Sequence, residues 1–160
     1  MNRVLQQHLT NKYEIFFEDR KKKMEELELP LTFGYECDDG WYHILDTLMG
    51  AIQHYIKYKG IEPIKIQQIK EKFGTLSFYY TGGDDYIHGL VSMATYMSSI
   101  TCEVCGTTDG VGKTTGGWIK YICKECFDKS DRMSRLGWKP NKNTRILKLA
   151  KLLKKNANRI

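Results

Sequence analysis

Four cysteines carry the clearest chemistry in this 160-residue chain, arranged as Cys102-Glu-Val-Cys105 and Cys123-Lys-Glu-Cys126 with Gly106 to Ile122 between the pairs. Thiolates two residues apart can grip one ion from a single tight turn, and two such pairs complete the tetrahedron that zinc prefers. Gly106 follows the second cysteine, where a knuckle of this kind needs a positive φ. Lys113, Lys120 and Lys124 lie close enough in sequence to offset the negative charge of a tetrathiolate centre. The expected cofactor is one structural Zn2+ held by Cys102, Cys105, Cys123 and Cys126. The fifth cysteine, Cys37, reads as a buried thiol without an activating neighbour. Five cysteines with four in paired spacing fit a reducing compartment better than a disulfide framework.

Competing chemistries fit less well. Two redox dithiols would sit in a βαβ context that is missing from this pattern. A catalytic zinc usually keeps an open position and takes histidine or carboxylate ligands. All four histidines, His8, His43, His54 and His88, precede the first paired cysteine. Their position argues against a His-based nuclease built on the finger. Gly106-Thr-Thr-Asp-Gly-Val-Gly112-Lys113-Thr114 imitates a phosphate loop, but Thr107 stands where that motif requires glycine. Asp38-Asp39 and Asp84-Asp85 each precede an expected helix, which favours capping over acid–base work. No nucleophile–base pair can be named, so the chain reads as a non-enzyme.

Charge is divided unevenly. Residues 1–100 hold 11 Lys+Arg against 14 Asp+Glu, whereas residues 101–160 hold 14 against 5. From Arg132 onward there are ten basic residues and no acid. Lys113, Lys120, Arg132, Arg135, Lys139, Lys142, Arg145, Lys148, Lys151, Lys154 and Lys155 are therefore candidate polyanion contacts, bound in a salt-dependent manner. Trp118, Tyr121 and Trp138 are candidate stacking surfaces. In the alternative, the stripe Ile146, Leu149, Leu152 and Leu153 packs on the rest of the protein and the lysines only solvate it. A protein groove or an anionic membrane surface would suit such a helix too.

The elements that must position these groups are readable in outline. Residues 1–29 show helical spacing in two pieces, stopped at Pro30, and residues 31–39 are irregular or a short strand. Trp41, Ile44, Leu45, Leu48, Met49, Ile52, Tyr55 and Ile56 predict a helix from about Trp41 to Tyr58, capped by Asp38 or Asp39 and ended by Gly60. Ile64 to Ile69 and Thr75 to Thr81 alternate as strands around a turn at Gly74. Asp84 caps a further helix to about Ile100, with Tyr86, Leu90, Met93, Met97 and Ile100 along one side. Trp118 to Ile122 reads as a strand, Lys124 to Met133 as a helix, and Asn143 or Thr144 can cap a last one. The fold class is α+β: a helical N-terminal part, a β-hairpin and a packing helix, then a treble-clef-like four-cysteine finger and a basic helical tail. The expected division is a body over 1–100, a finger over 101–136 docked without a linker, and a basic amphipathic tail over 137–160. No stretch is apolar enough for a membrane span, and the start is too polar for a signal peptide.

The knuckle, hairpin and helix order resembles treble-clef fingers, with a spacing similar to that of GATA-type fingers. Three segments together resemble a family of uncharacterised bacteriophage and prophage proteins. They are Gly40-Trp-Tyr-His-Ile-Leu-Asp46, Lys70-Glu-Lys-Phe-Gly-Thr-Leu-Ser-Phe-Tyr-Tyr80, and Thr101-Cys-Glu-Val-Cys-Gly106 with Gly116-Gly-Trp118. The likeness spans roughly residues 34–127 and leaves the basic tail outside. It implies a viral protein in the cytoplasm of an infected bacterium, with the zinc site and no stated mechanism. The first expectation is a zinc-stabilised accessory protein that binds nucleic acid or another polyanion. The alternatives are a protein that inhibits a host factor, or one that sequesters a nucleotide immune signal, with zinc purely structural in both.

Overall fold

The computed structural model describes residues 1–17, 34–133 and 135–141. Helix α1 (Arg3–Lys12) begins where the Asn2 side chain accepts from the Leu5 amide, and it buries Leu9. Val4 stays exposed, so the inner edge of this helix is carried by Leu9 and continued by Tyr13 beyond its end. A 3-10 turn follows at Glu14–Phe16. The expected second helical piece lies mostly in residues 18–33, outside the described residues.

Strand β1 (Tyr35–Glu36) and a 3-10 turn (Asp39–Trp41) lead into helix α2 (Tyr42–Lys59). Ile44, Leu45, Leu48, Met49, Ile52 and Ile56 are buried along one side of α2, as their spacing requires. Burial of each such side chain is worth about 1.5–3 kcal/mol, so this face organises the body. Gly60 closes the helix in the left-handed conformation, φ 66°. Capping at the start departs from expectation: Asp38 makes no side-chain cap bond, and Asp39 Oδ1 and Oδ2 accept from the Asn2 amide and side chain at 2.7 and 2.8 Å. Both aspartates are engaged by distant segments, Asp38 by Lys120 and Asp39 by Asn2.

Strands β2 (Lys65–Lys72) and β3 (Thr75–Thr81) form the predicted antiparallel hairpin, and β1 joins β2 in parallel. Ile66 and Ile69 are three apart, a spacing that would send them to opposite faces of a regular strand. A bulge between Ile66 and Gln68 resets the register, so both are buried. The hairpin turns on two residues, Phe73 and Gly74, with φ of 52° and 87°. Positive φ at both positions is the pattern of a type I′ turn.

Helix α3 (Asp85–Ser98) is capped by Asp84, whose carboxylate accepts from the Tyr86 and Ile87 amides. Its inner face is Ile87, Val91, Ala94 and Ser98, not the stripe expected from the larger residues. Tyr86, Met93 and Met97 point outward, with Leu90 and Ile100 only partly covered. Ser98 sits directly against β3. Ser98 Oγ accepts from the Leu76 amide at 2.8 Å and donates to Thr95 O, and Thr95 Oγ1 donates to Leu76 O.

The second sheet has the order β5-β4-β6, all antiparallel, from β4 (Val111–Thr115), β5 (Tyr121–Cys123) and β6 (Gly137–Pro140). Helix α4 is confined to Lys124–Asp128, shorter than the helix expected to Met133. Trp118 lies before β5 and outside its ladder. Gly137–Pro140, placed at the head of the tail by its charge, is a strand paired with β4 along Gly112–Thr115. Gly112 permits this pairing, because a Cβ there would stand 2.3 Å from the Trp138 ring. The remainder of the expected tail, from residue 142, lies outside the described residues. Among the described residues, no helix is long and apolar enough to cross a membrane.

Candidate metal centre

The four paired cysteines converge from two local structures. Cys102 to Gly106 forms a knuckle closed by Gly106 N donating to Cys102 O at 2.8 Å, with Gly106 at φ 76°. Cys123 ends β5 and caps α4, its sulfur accepting from the Cys126 amide at 3.4 Å. With only five residues in α4, the sulfur draws on this particular N–H and not on a long helix dipole. Cys102 and Cys123 are buried, Cys126 is half-buried and Cys105 is exposed.

All four Sγ atoms lie within 4.8 Å of one another, so the group could hold a metal ion. A tetrahedron with Zn–S bonds of about 2.3 Å has edges of roughly 3.8 Å. Cys105 Sγ and Cys123 Sγ are 3.8 Å apart, far beyond disulfide length. Four thiolates this close repel strongly unless a cation sits among them. Burial pushes the Cys102 thiol up against the opposing amides of Cys123, Cys105 and Val104. Burial and its sulfur neighbours push Cys126 up as well. At Cys105 partial burial also raises the thiol, but the Thr107 amide and the other sulfurs outweigh it and leave it low. The donor set fits a single ion of tetrahedral, thiophilic character. Cys37 stands apart, 6% exposed, its thiol pushed up to about 12 chiefly by burial.

The knuckle is keyed into the body. Gly40 N donates to Glu103 O at 2.8 Å, and a Cβ on Gly40 would stand 2.2 Å from Cys102 O and 2.5 Å from Gly106 N. Glu103, between Cys102 and Cys105, is only 2% exposed. Its Oε1 accepts from the Asp38 amide at 3.1 Å, and its Oε2 faces Lys120 Nζ at 3.3 Å without an aligned hydrogen bond. Lys120 completes the lock with a 2.5 Å contact to Asp38. Desolvation raises Glu103, although the Lys120 charge opposes it. Trp41 Nε1 donates to Thr101 O at 3.5 Å, and Asn141 Nδ2 donates to Ser99 O at 2.9 Å, adding two more ties. The Asp38–Glu103–Lys120 triad was missed in the sequence. Its one visible signal was an acid inside a Cys-x-x-Cys knuckle beside a basic strand.

The candidate polyanion residues divide. Lys120 is committed to Asp38 and Glu103 with its side chain 12% exposed, so it is unsuited to an outside anion. Trp138 also departs from its expected stacking role: it packs in the finger's small core and donates to Ile122 O at 3.1 Å. Lys113 and Lys139 are directly opposed on β4 and β6, with Tyr121 completing the rung on β5. Lys113 Nζ lies 5.9 Å from the Tyr121 ring centre. Trp118 is 51% exposed, and the Arg132 guanidinium lies 4.5 Å from its ring centre. Arg135 and Lys139 are exposed. Lys142, Arg145, Lys148, Lys151, Lys154 and Lys155 lie outside the described residues.

No family model, curated protein or solved structure matches the chain.

Proposed function

We propose that Cys102, Cys105, Cys123 and Cys126 hold one structural zinc ion, and that the chain is a non-enzymatic protein binding nucleic acid or another polyanion through its basic C-terminal third. The donor set supports zinc: four sulfurs within 4.8 Å of one another, two of them buried, are the all-thiolate set typical of structural and not catalytic zinc. The observation that carries the binding reading is the Tyr121–Lys113–Lys139 rung. Two lysines directly opposed on neighbouring strands repel one another, and a bound phosphate would turn that repulsion into attraction. Arg132 and Arg135 are further exposed cations, and the acid-free run after Arg132 adds more in sequence. The resemblance to bacteriophage proteins supports an accessory role in the cytoplasm of an infected bacterium.

Fluorescence anisotropy with a labelled duplex across a salt series tests the binding reading. Affinity is expected to fall steeply with salt, with a log–log slope of about −0.9 per phosphate contacted. Deleting residues 142–160, which leaves β6 in place, should flatten the slope, and Lys113→Ala with Lys139→Ala should flatten it further. Absence of binding at low salt to duplex, single strand and heparin alike would refute the reading.

A second reading, binding of a host protein, is favoured by one feature. Tyr86, Met93, Tyr96 and Met97 of α3 are 56, 56, 57 and 37% exposed, a large amount of apolar surface for one short helix. Met93→Lys would abolish such an association and leave polyanion binding untouched.

A further inference from the structure

Two exposed aromatic side chains flank the contact between body and finger, and neither belongs to the buried core of the body or of the finger. Phe73 sits at the tip of the β2–β3 hairpin with φ 52° and its ring 74% exposed. Left-handed backbone is costly for an aromatic residue, and the type I′ turn is better served there by asparagine or glycine. Its neighbour Gly74 packs against the finger: a Cβ on it would lie 2.9 Å from Ile119 Cγ2 and 3.1 Å from Tyr121 Cδ2. Phe73 therefore stands one residue from this contact on the body side, and Trp118 one residue from it on the finger side. Each ring has its own cation, Lys72 Nζ at 5.7 Å from the Phe73 centre and Arg132 at 4.5 Å from the Trp118 centre. The acid at this end of the hairpin, Glu71, is engaged within the turn, its Oε1 accepting from the Gly74 amide at 2.6 Å.

Exposed rings with adjacent cations match the chemistry of unpaired nucleotides, which offer a π-face and a phosphate at each step. A duplex hides its base faces and can use only the cations. We infer that Phe73 and Trp118 form a stacking platform for single-stranded nucleic acid, with Lys72 and Arg132 as its phosphate contacts. The inference rests on the polyanion reading and names its substrate class. It also gives a use to a strained, exposed phenylalanine that contributes little to folding.

The test compares labelled oligo(dT) with a duplex of equal length by anisotropy, using the full zinc-loaded chain. Phe73→Asn removes the ring and suits the turn, so it should raise the melting temperature while weakening oligo(dT) binding. Each lost ring is expected to cost about five- to 150-fold in affinity for oligo(dT), with duplex affinity held within about twofold. Trp118→Phe should keep most of the single-strand affinity that Trp118→Ala loses. Unchanged oligo(dT) affinity in Phe73→Asn and Trp118→Ala would overturn the platform and leave the polyanion reading standing. Equal losses for both nucleic acids would also overturn it. Failure of the wild-type chain to bind either nucleic acid would overturn the platform, and failure to bind heparin as well would remove the polyanion reading.

Discussion

Replacing Gly40 by alanine should loosen the metal knuckle although Gly40 is not a ligand. A Cβ at this position would lie 2.2 Å from Cys102 O, 2.5 Å from Gly106 N and 2.6 Å from Glu103 O. All three are backbone atoms of the knuckle, so no side chain can rotate away. Restoring ordinary contact requires a separation of more than about 1 Å, and overpacking of this kind costs about 1–3 kcal/mol. The Gly40 N to Glu103 O bond, 2.8 Å, would stretch or break, adding about 0.5–1.5 kcal/mol. The sum, about 1.5–4.5 kcal/mol, corresponds to roughly 3–18 °C in melting temperature for a protein of this size. Gly89→Ala in α3 is the control: nothing lies within 4 Å of its Cβ, and it should stabilise by about 0.5–1 kcal/mol. Thermal melts of the zinc-loaded chain, paired with chelator competition for the metal, read both effects. A Gly40→Ala protein with unchanged melting temperature and chelator resistance would refute the docking of knuckle on body.

Lys120→Met leaves Glu103 buried beside Asp38 without its cation, and urea denaturation should register a loss of about 3 kcal/mol, partly recovered on adding Glu103→Gln. Ser98→Ala strips the buried Leu76 amide of its acceptor and should cost about 1–3 kcal/mol by the same assay. Tyr55→Phe acts through pH. The Tyr55 hydroxyl, with the Ile87 and Tyr86 amides, holds the Asp84 carboxyl below its ordinary value. A depressed carboxylate stabilises above its unfolded pKa and loses that contribution as pH falls through the folded value. Tyr55→Phe should therefore lower stability near neutrality, converge with wild type in acid, and raise the Asp84 titration midpoint seen by NMR.

The convergence of the four paired cysteines, the α2 face and the hairpin were legible because each depends on local spacing. Two Cys-x-x-Cys pairs, an i, i+3, i+4 run and an alternating strand are patterns that tertiary context seldom reverses. The face of α3 was not legible, since Tyr86, Met93 and Met97 point outward while Ala94 and Ser98 lie inside, Ser98 held by its bond to the Leu76 amide of β3. Asp38 and Asp39 looked like caps because a sequence cannot show Lys120 or Asn2 arriving from elsewhere. Charge alone hid the strand at Gly137–Pro140, whose role is set by pairing to β4. Similarly, Lys120 counted as a surface cation until its two carboxylate partners were in view.

The central claim is that four cysteines, and not the fifth, form one structural zinc site. Metal content by elemental analysis of the purified chain, alongside its five single Cys→Ser variants, tests it most directly. The account predicts one zinc per chain in wild type and Cys37→Ser, and loss of tightly held zinc in Cys102→Ser, Cys105→Ser, Cys123→Ser and Cys126→Ser. Cys105→Ser is the most telling of these, because that residue is exposed and its replacement disturbs packing least. A wild-type chain without zinc, or full zinc retention in Cys105→Ser, would contradict the claim.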